Sequence, residues 1–254
     1  MYFVAFLGIL VTVSAARLPP ISGAPTRPDE AGPIHLNEAG PMDPERCCAP
    51  AQYTTHLSAN IAGVLDTGKL STIFTKGRVA YDSINELIGR EIIVENLSNG
   101  TEKVIMDYNK LKGYYITTKQ GVVKCQKFAL EGKFPQSCVP DDAVFIGQAS
   151  LGDRALVADQ WYITKTEDSH TTHQIVSVKT DGCVDLSSNM RIVDSNTGME
   201  LQSDVVYWYD FKLGIDDPGR WFKLPAECEG IKVTKLPAQL RHSLGYDEKL
   251  KLFY

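Results

Sequence analysis

Short runs of alternating apolar and polar residues fill this chain from residue 70 to residue 213. Turn signals interrupt them roughly every eight to twelve residues. A period of two puts alternate side chains on one face of a strand, so each run predicts a half-buried β-strand. The runs lie at 70–75, 78–82, 90–94, 103–108, 114–118, 122–125, 143–150, 156–164, 172–178, 190–193 and 199–213. Lys76-Gly77, Lys112-Gly113, Gln120-Gly121 and Asp181-Gly182 read as turns between them, and Asn99-Gly100 is a strong hairpin signal. The last run ends at Gly214, followed by Asp216-Asp217-Pro218. Residues 54–64 fit neither period cleanly. Residues 130–142 are a loop rich in Pro and charge. Only the tail, 236–254, carries Lys, Arg and Leu at helical intervals, which predicts a short amphipathic helix there. The pattern is that of a mainly β protein built as an antiparallel sheet or sandwich.

The ends of the chain differ from its middle. Residues 1–16 hold an apolar run from Phe3 to Val13 and close on Ser14-Ala15-Ala16, the form of a secretory signal peptide. The run is too short to span a bilayer, which takes about 20 residues. Residues 17–46 contain seven of the thirteen prolines and repeat Glu-Ala-Gly-Pro at 30–33 and 38–41. Such a segment has little to bury against its ordering entropy, which predicts an extended, flexible arm. The β domain is expected over 47–230 and a tail over 231–254.

Charge and cysteine content narrow the function. A net charge of −5 with scattered lysines argues against nucleic acid as a partner. Cys47, Cys48, Cys125, Cys138, Cys183 and Cys228 follow an apolar leader, so three disulfides in an oxidising compartment are expected. No C-x-x-C pair occurs, and His170-x-x-His173 suggests no third ligand, so no metal site is assigned. Calcium is the one ion considered, because Asp141-Asp142 and Asp216-Asp217 are local acidic pairs; neither forms an EF-hand loop. Asn96-Leu97-Ser98 and Asn99-Gly100-Thr101 are back-to-back sequons in a predicted turn, where Asn96 or Asn99 would carry an exposed glycan. Motifs for a nucleophile elbow, a zinc protease, a phosphate loop or a dinucleotide site are absent, and paired cysteines leave no thiol nucleophile, so no catalytic residue is assigned.

Several blocks, taken together in order, resemble the ependymin-related family. Tyr207-Trp208-Tyr209-Asp210-Phe211-Lys212-Leu213-Gly214-Ile215-Asp216-Asp217-Pro218, closed by Pro225-Ala226-Glu227-Cys228, is similar to its C-terminal signature. Cys48-Ala49-Pro50, the Tyr81-Asp82 strand, Cys125-Gln126-Lys127-Phe128, Cys138-Val139-Pro140-Asp141-Asp142-Ala143, Leu151-Gly152 and Trp161 follow the family order. The family often has a Trp soon after the first Cys-x-Pro, where this chain has Gln52-Tyr53, and the arm and tail lie outside the pattern.

The resemblance implies two curved antiparallel sheets forming a half-open barrel or sandwich around an apolar pocket, similar to bacterial lipoprotein carriers. It implies a secreted, disulfide-bonded, glycosylated, non-enzymatic protein that binds lipids or other hydrophobic molecules. An extracellular-matrix or shell-matrix role with calcium or mineral association is the alternative, and a homodimer and matrix components are further partners in view. By position the family pairs Cys48–Cys183 and Cys125–Cys228, leaving Cys47–Cys138, with exchange between the adjacent Cys47 and Cys48 still open. Candidate pocket residues are Ile116, Phe145, Trp161, Ile175, Val206 and Phe211, each of which equally fits a packed core.

Overall fold

The computed structural model describes residues 43–64, 70–94, 100–167 and 169–235, with the short pieces 246–247 and 250–251. The leader 1–16, the arm up to residue 42, and the candidate glycan acceptors Asn96 and Asn99 lie outside the described residues.

Eleven long strands follow one another: β1 (Gln52–Val64), β2 (Leu70–Asp82), β3 (Leu87–Val94), β4 (Gly100–Asp107), β5 (Lys112–Lys119), β6 (Val122–Ala129), β7 (Val144–Leu151), β8 (Leu156–Glu167), β9 (His170–Lys179), β10 (Asp185–Asp194) and β11 (Glu200–Leu213). A two-residue β12 (Val233–Thr234) pairs in parallel with β6. Hydrogen bonding runs through one twelve-stranded sheet, in the order β12-β6-β5-β4-β3-β2-β1-β11-β10-β9-β8-β7. The mainly antiparallel β architecture is therefore present, but as one open sheet instead of the two expected. The junction explains why: β11 pairs with β1 from Tyr53↔Leu213 to Gly63↔Gln202, so the two meanders share a ladder. Period-two alternation is the same for one sheet or two, so it could not have counted them. The same ladder puts the 207–213 signature in the middle of the sheet.

Residues 54–64, which fit neither period, are strand because both edges of β1 are paired along most of their length, to β2 and β11. Lys76-Gly77 is also strand. Gly77 crosses the backbone of β3, where a Cβ would stand 2.6 Å from the Glu91 carbonyl oxygen. This glycine marks a close approach between strands and not a turn.

Register assigns side chains to two faces. Tyr53, Tyr81, Ile88, Met106 and Phe128 occupy what we term the front face. They form one core with Val79, Ile92 and Val104, capped by Leu130 and Phe134 from the β6–β7 connection. On the back face, Ile105, Tyr114 and Ile116 are covered by Phe222, Leu224 and Cys228. The cover includes a helix that was not foreseen, α1 (Pro218–Phe222). Asp217 Oδ1 accepts the Arg220 N–H, and Pro218 takes the first turn, where a missing N–H is harmless. Thus Asp-Asp-Pro both follows the strand end and starts a helix. A third core lies on the front of the other half, where Trp161, Ile163 and Val178 meet Val139 and Ala143.

Three disulfides tie these layers: Cys47–Cys183, Cys48–Cys138 and Cys125–Cys228. The expected Cys48–Cys183 and Cys47–Cys138 pairs are thus exchanged. Successive side chains of an extended segment point to opposite sides. Cys48 forms a β-bridge with Cys138, and Cys47 turns the other way into the core holding Cys183. In the tail, Tyr246–Asp247 and Leu250–Lys251 pair as antiparallel β13 and β14, so these four residues are strand where a helix was expected. The remainder of 236–254 lies outside the described residues.

Candidate ligand groove

The connection between β6 and β7 is the element that shapes a site. It leaves one end of the sheet, crosses the front face and starts the second meander at the other end. Its fixings are distributed along it. Phe134 packs on Tyr81 and Tyr108, with ring centroids 5.1 and 5.5 Å away. The Tyr81 hydroxyl donates to the Pro135 carbonyl at 3.2 Å and accepts the Ser137 N–H at 3.1 Å. The Ala49 and Val139 N–H groups donate to the Ser137 and Cys47 carbonyls, and Cys48–Cys138 adds a covalent tie. Arg46 donates to the Pro140 and Ala143 carbonyls while its guanidinium lies over the Trp161 ring. This strap has a Pro-rich sequence with little periodicity, but backbone partners and rings hold it.

Between the strap and strands β8, β9, β10 and β11 is a half-open groove with a cavity of about 70 Å³. Its apolar walls come from Ile163, Val176, Val178 and Trp208, with the Cys138 and Cys183 half-cystines at one side. Among its polar lining residues are Ser137, Gln174 and Asp185. Ser137 Oγ donates to Asp185 Oδ2 at 3.3 Å and accepts from the Tyr53 hydroxyl at 3.4 Å. Burial pushes the Asp185 carboxyl up to about 6, against the opposing pull of the Ser137 hydrogen bond. Burial raises Tyr53 and Tyr81 as well, and the negative charge of Asp185 adds to both shifts. Tyr53 thus stays a neutral phenol whose proton is available to Ser137.

The candidate pocket residues do not line this groove. Phe145, Trp161, Val206 and Phe211 are on the front face, whereas Ile116 and Ile175 are on the back. Ile116 is buried beneath Leu224 and Cys228, and Ile175 is exposed. Phe211 stacks on Tyr53 at 5.0 Å, and Phe145 meets Trp161 edge-on at 5.4 Å, so both serve as core. Trp161 is fully buried with an indole N–H that finds no hydrogen-bond partner among the described residues. Trp161, Ile175, Val206 and Phe211 share strands with the groove lining and Ile116 and Phe145 do not, while Asp185, Ser137 and Trp208, which do line it, were not among the candidates. Asp185 had a legible signal: a charged residue two places after Cys183 at the start of an alternating run.

The metal-type motifs do not converge. His170 and His173, three apart on a strand, face opposite sides of β9; His173 Nδ1 meets the Tyr162 hydroxyl at 2.6 Å, and His170 lies beside Ser169. Asp217 is engaged as the cap of α1, and Asp141 and Asp142 sit in an exposed turn. No group of three or more His, Cys, Asp or Glu side chains among the described residues could hold a metal ion.

Comparison with known proteins gives one family. The family model described as Ependymin matches residues 97–228, just over half of the chain. This span holds the strap, the groove strands and the Cys125–Cys228 disulfide. No curated protein matches the chain. Among solved structures, a LolA superfamily protein from Nitrosomonas europaea is 12% identical, covering 68% of this chain and 90% of that one at a TM-score of 0.31. A DUF1329 family protein from Desulfovibrio piger is 10% identical, covering 67% and 89% at a TM-score of 0.22. No helix of the described residues is long and apolar enough to cross a membrane, and three disulfides suit an oxidising compartment.

Proposed function

Because the chain belongs to the ependymin family, we propose that it is a secreted, non-enzymatic glycoprotein that binds lipids or other hydrophobic molecules on the front face of its sheet, under the strap. The observation that carries this reading is the groove itself, walled by Ile163, Val176, Val178 and Trp208 beneath a disulfide-tied strap. Apolar walls with a few convergent polar groups are the usual form of a small-molecule site. The leader at 1–16 and the disulfides support secretion, and the sequons at Asn96 and Asn99 support a glycan. A family that is generally non-enzymatic supports the absence of catalysis.

Size sets a limit on the state described. Sites that enclose a drug-sized ligand occupy roughly 300–1,000 Å³. A cavity of about 70 Å³ admits one end of such a molecule, leaving the remainder to the open side or to a lifted strap. Native mass spectrometry of protein secreted from eukaryotic cells tests the reading. A co-purifying fatty acid, phospholipid or other apolar molecule is the expected result. Protein that is empty, takes up no added lipid and adheres to calcium mineral would shift the function to the matrix.

A further inference from the structure

We infer that the groove selects its ligand by an amine head group, seated as an ammonium against the Asp185 carboxylate with its apolar tail along Ile163, Val176, Val178 and Trp208. This rests on the hydrophobic-ligand reading above and adds the head-group chemistry.

Asp185 is the first residue of β10 and forms part of the groove wall. Its carboxylate lies half-buried between the strap, through Ser137, and the sheet, and this partial burial raises its proton affinity. Asp185 itself is half-buried, and a carboxylate withdrawn in part from water gains from a cation or from several donors. Among the described residues this one has a single side-chain donor, Ser137 Oγ at 3.3 Å, at the long end for a hydroxyl–carboxylate bond. Tyr53 reaches Ser137 and not the carboxylate. The half-buried carboxylate, with Ser137 as its one side-chain donor among the described residues, borders a cavity large enough for a head group.

The partner that suits this carboxylate is a donor that can carry positive charge. An ammonium offers three N–H groups and a full charge, which a low-polarity wall strengthens. A fatty acid would set a second carboxylate against the first, and an alcohol would supply one neutral donor. The apolar wall beside Asp185 suits the alkyl part of an amine. A single ligand of this class therefore satisfies both halves of the site.

Three probes with one tail and three heads test this: octylamine, 1-octanol and octanoate, titrated at pH 7.5 into the full secreted protein. Quenching of tryptophan fluorescence, with Trp208 on the wall, and calorimetry report binding. Octylamine is expected to bind at least about tenfold more tightly than the other two, as a desolvated charge pair requires. Asp185→Asn should reduce octylamine to the level at which the same variant binds octanol. Ser137→Ala, which removes the one competing donor, should keep the amine preference. Equal binding of all three probes, tighter octanoate binding, or an undiminished preference in Asp185→Asn would overturn the head-group inference and leave the hydrophobic-ligand reading standing. Binding of none, with no lipid found by mass spectrometry, would overturn both.

Discussion

The Phe128 ring lies directly on Gly113. A Cβ at position 113 would meet Phe128 Cε2 at 2.1 Å and Cζ at 2.2 Å. The two residues are cross-strand partners on β5 and β6, and Phe128 is only 1% exposed. The missing side chain makes room for an aromatic that the front core needs. Gly113→Ala should therefore destabilise the protein by about 2 kcal/mol or more through overpacking, despite the better strand propensity of alanine. Urea unfolding measures it. A Gly113→Ala protein as stable as the wild type would show that the ring can move aside at little cost.

The disulfide pattern yields a second prediction. Peptide mapping without reduction should recover Cys47 with Cys183 and Cys48 with Cys138, after cleavage between the adjacent half-cystines or by fragmentation that separates them. Cys125–Cys228 holds the back-face cover over Ile116 and spans 103 residues. Replacing both of its cysteines with serine should cost about 2–5 kcal/mol. Hydrogen exchange should rise first in β5 and β6, under the released cover. Unchanged exchange there, with the disulfide gone, would mean that α1 packs without it.

Asp185 predicts a pH dependence with a definite sign. Its carboxyl in the folded protein stands at about 6, above the ordinary value of 3.8. A raised value means that the native state holds the proton more tightly than the unfolded chain. The favourable contribution is thus complete below about 3.8 and disappears as pH rises through about 6. At neutral pH the ionised group opposes folding, facing Ser137 and the phenols of Tyr53 and Tyr81, with the Arg90 guanidinium acting on Tyr53 beside them. Asp185→Asn should then be more stable than the wild type at pH 7.5, by about 1–3 kcal/mol. That gain should shrink towards pH 4.5 in matched denaturant titrations. A variant less stable than the wild type at pH 7.5 would mean that the carboxylate already has a strong native partner. The same variant should lose amine selectivity, so a site residue here is one that the fold would be more stable without.

Much of the sheet was legible because alternation is a local signal. Trp161 and Ile163 fall in a predicted strand and are buried at alternate positions, whereas Val104, Ile105 and Met106 are buried in succession because both faces of β4 are covered. Other features depend on what lies across the sheet. Gly77 reads as a turn until β3 passes behind it, and residues 54–64 become strand only with β2 and β11 on either side. The faces of Ile116 and Ile175 follow from register, and only the C-terminal cover decides that one is buried and the other exposed. Asp185 and Ser137 are 48 residues apart and meet because the strap crosses the sheet. No periodicity in either segment announces that crossing. Asp217-Pro218 is different: the cap and first-turn proline were present in the sequence, but the stop signal took precedence over the start signal.

Tyr81 offers the most selective way to loosen the strap. Its hydroxyl is fixed by two hydrogen bonds to one short segment, donating to Pro135 and accepting from Ser137. Its ring also supports Phe134 at 5.1 Å. Tyr81→Phe keeps the ring and the front core and removes only the oxygen. The Pro135 carbonyl and Ser137 N–H then lose a partner in a half-buried place, a change of about 1–3 kcal/mol. Because those two groups belong to the strap, the loss should raise the frequency of strap opening more than that of global unfolding. Hydrogen exchange should therefore increase over 133–139 with little change in β4 and β5. A hydrophobic ligand should enter and leave faster in stopped-flow fluorescence, with a smaller change in affinity. Unaltered ligand rates, in a variant whose strap exchange has risen, would show that molecules reach the groove from its open side without lifting the strap.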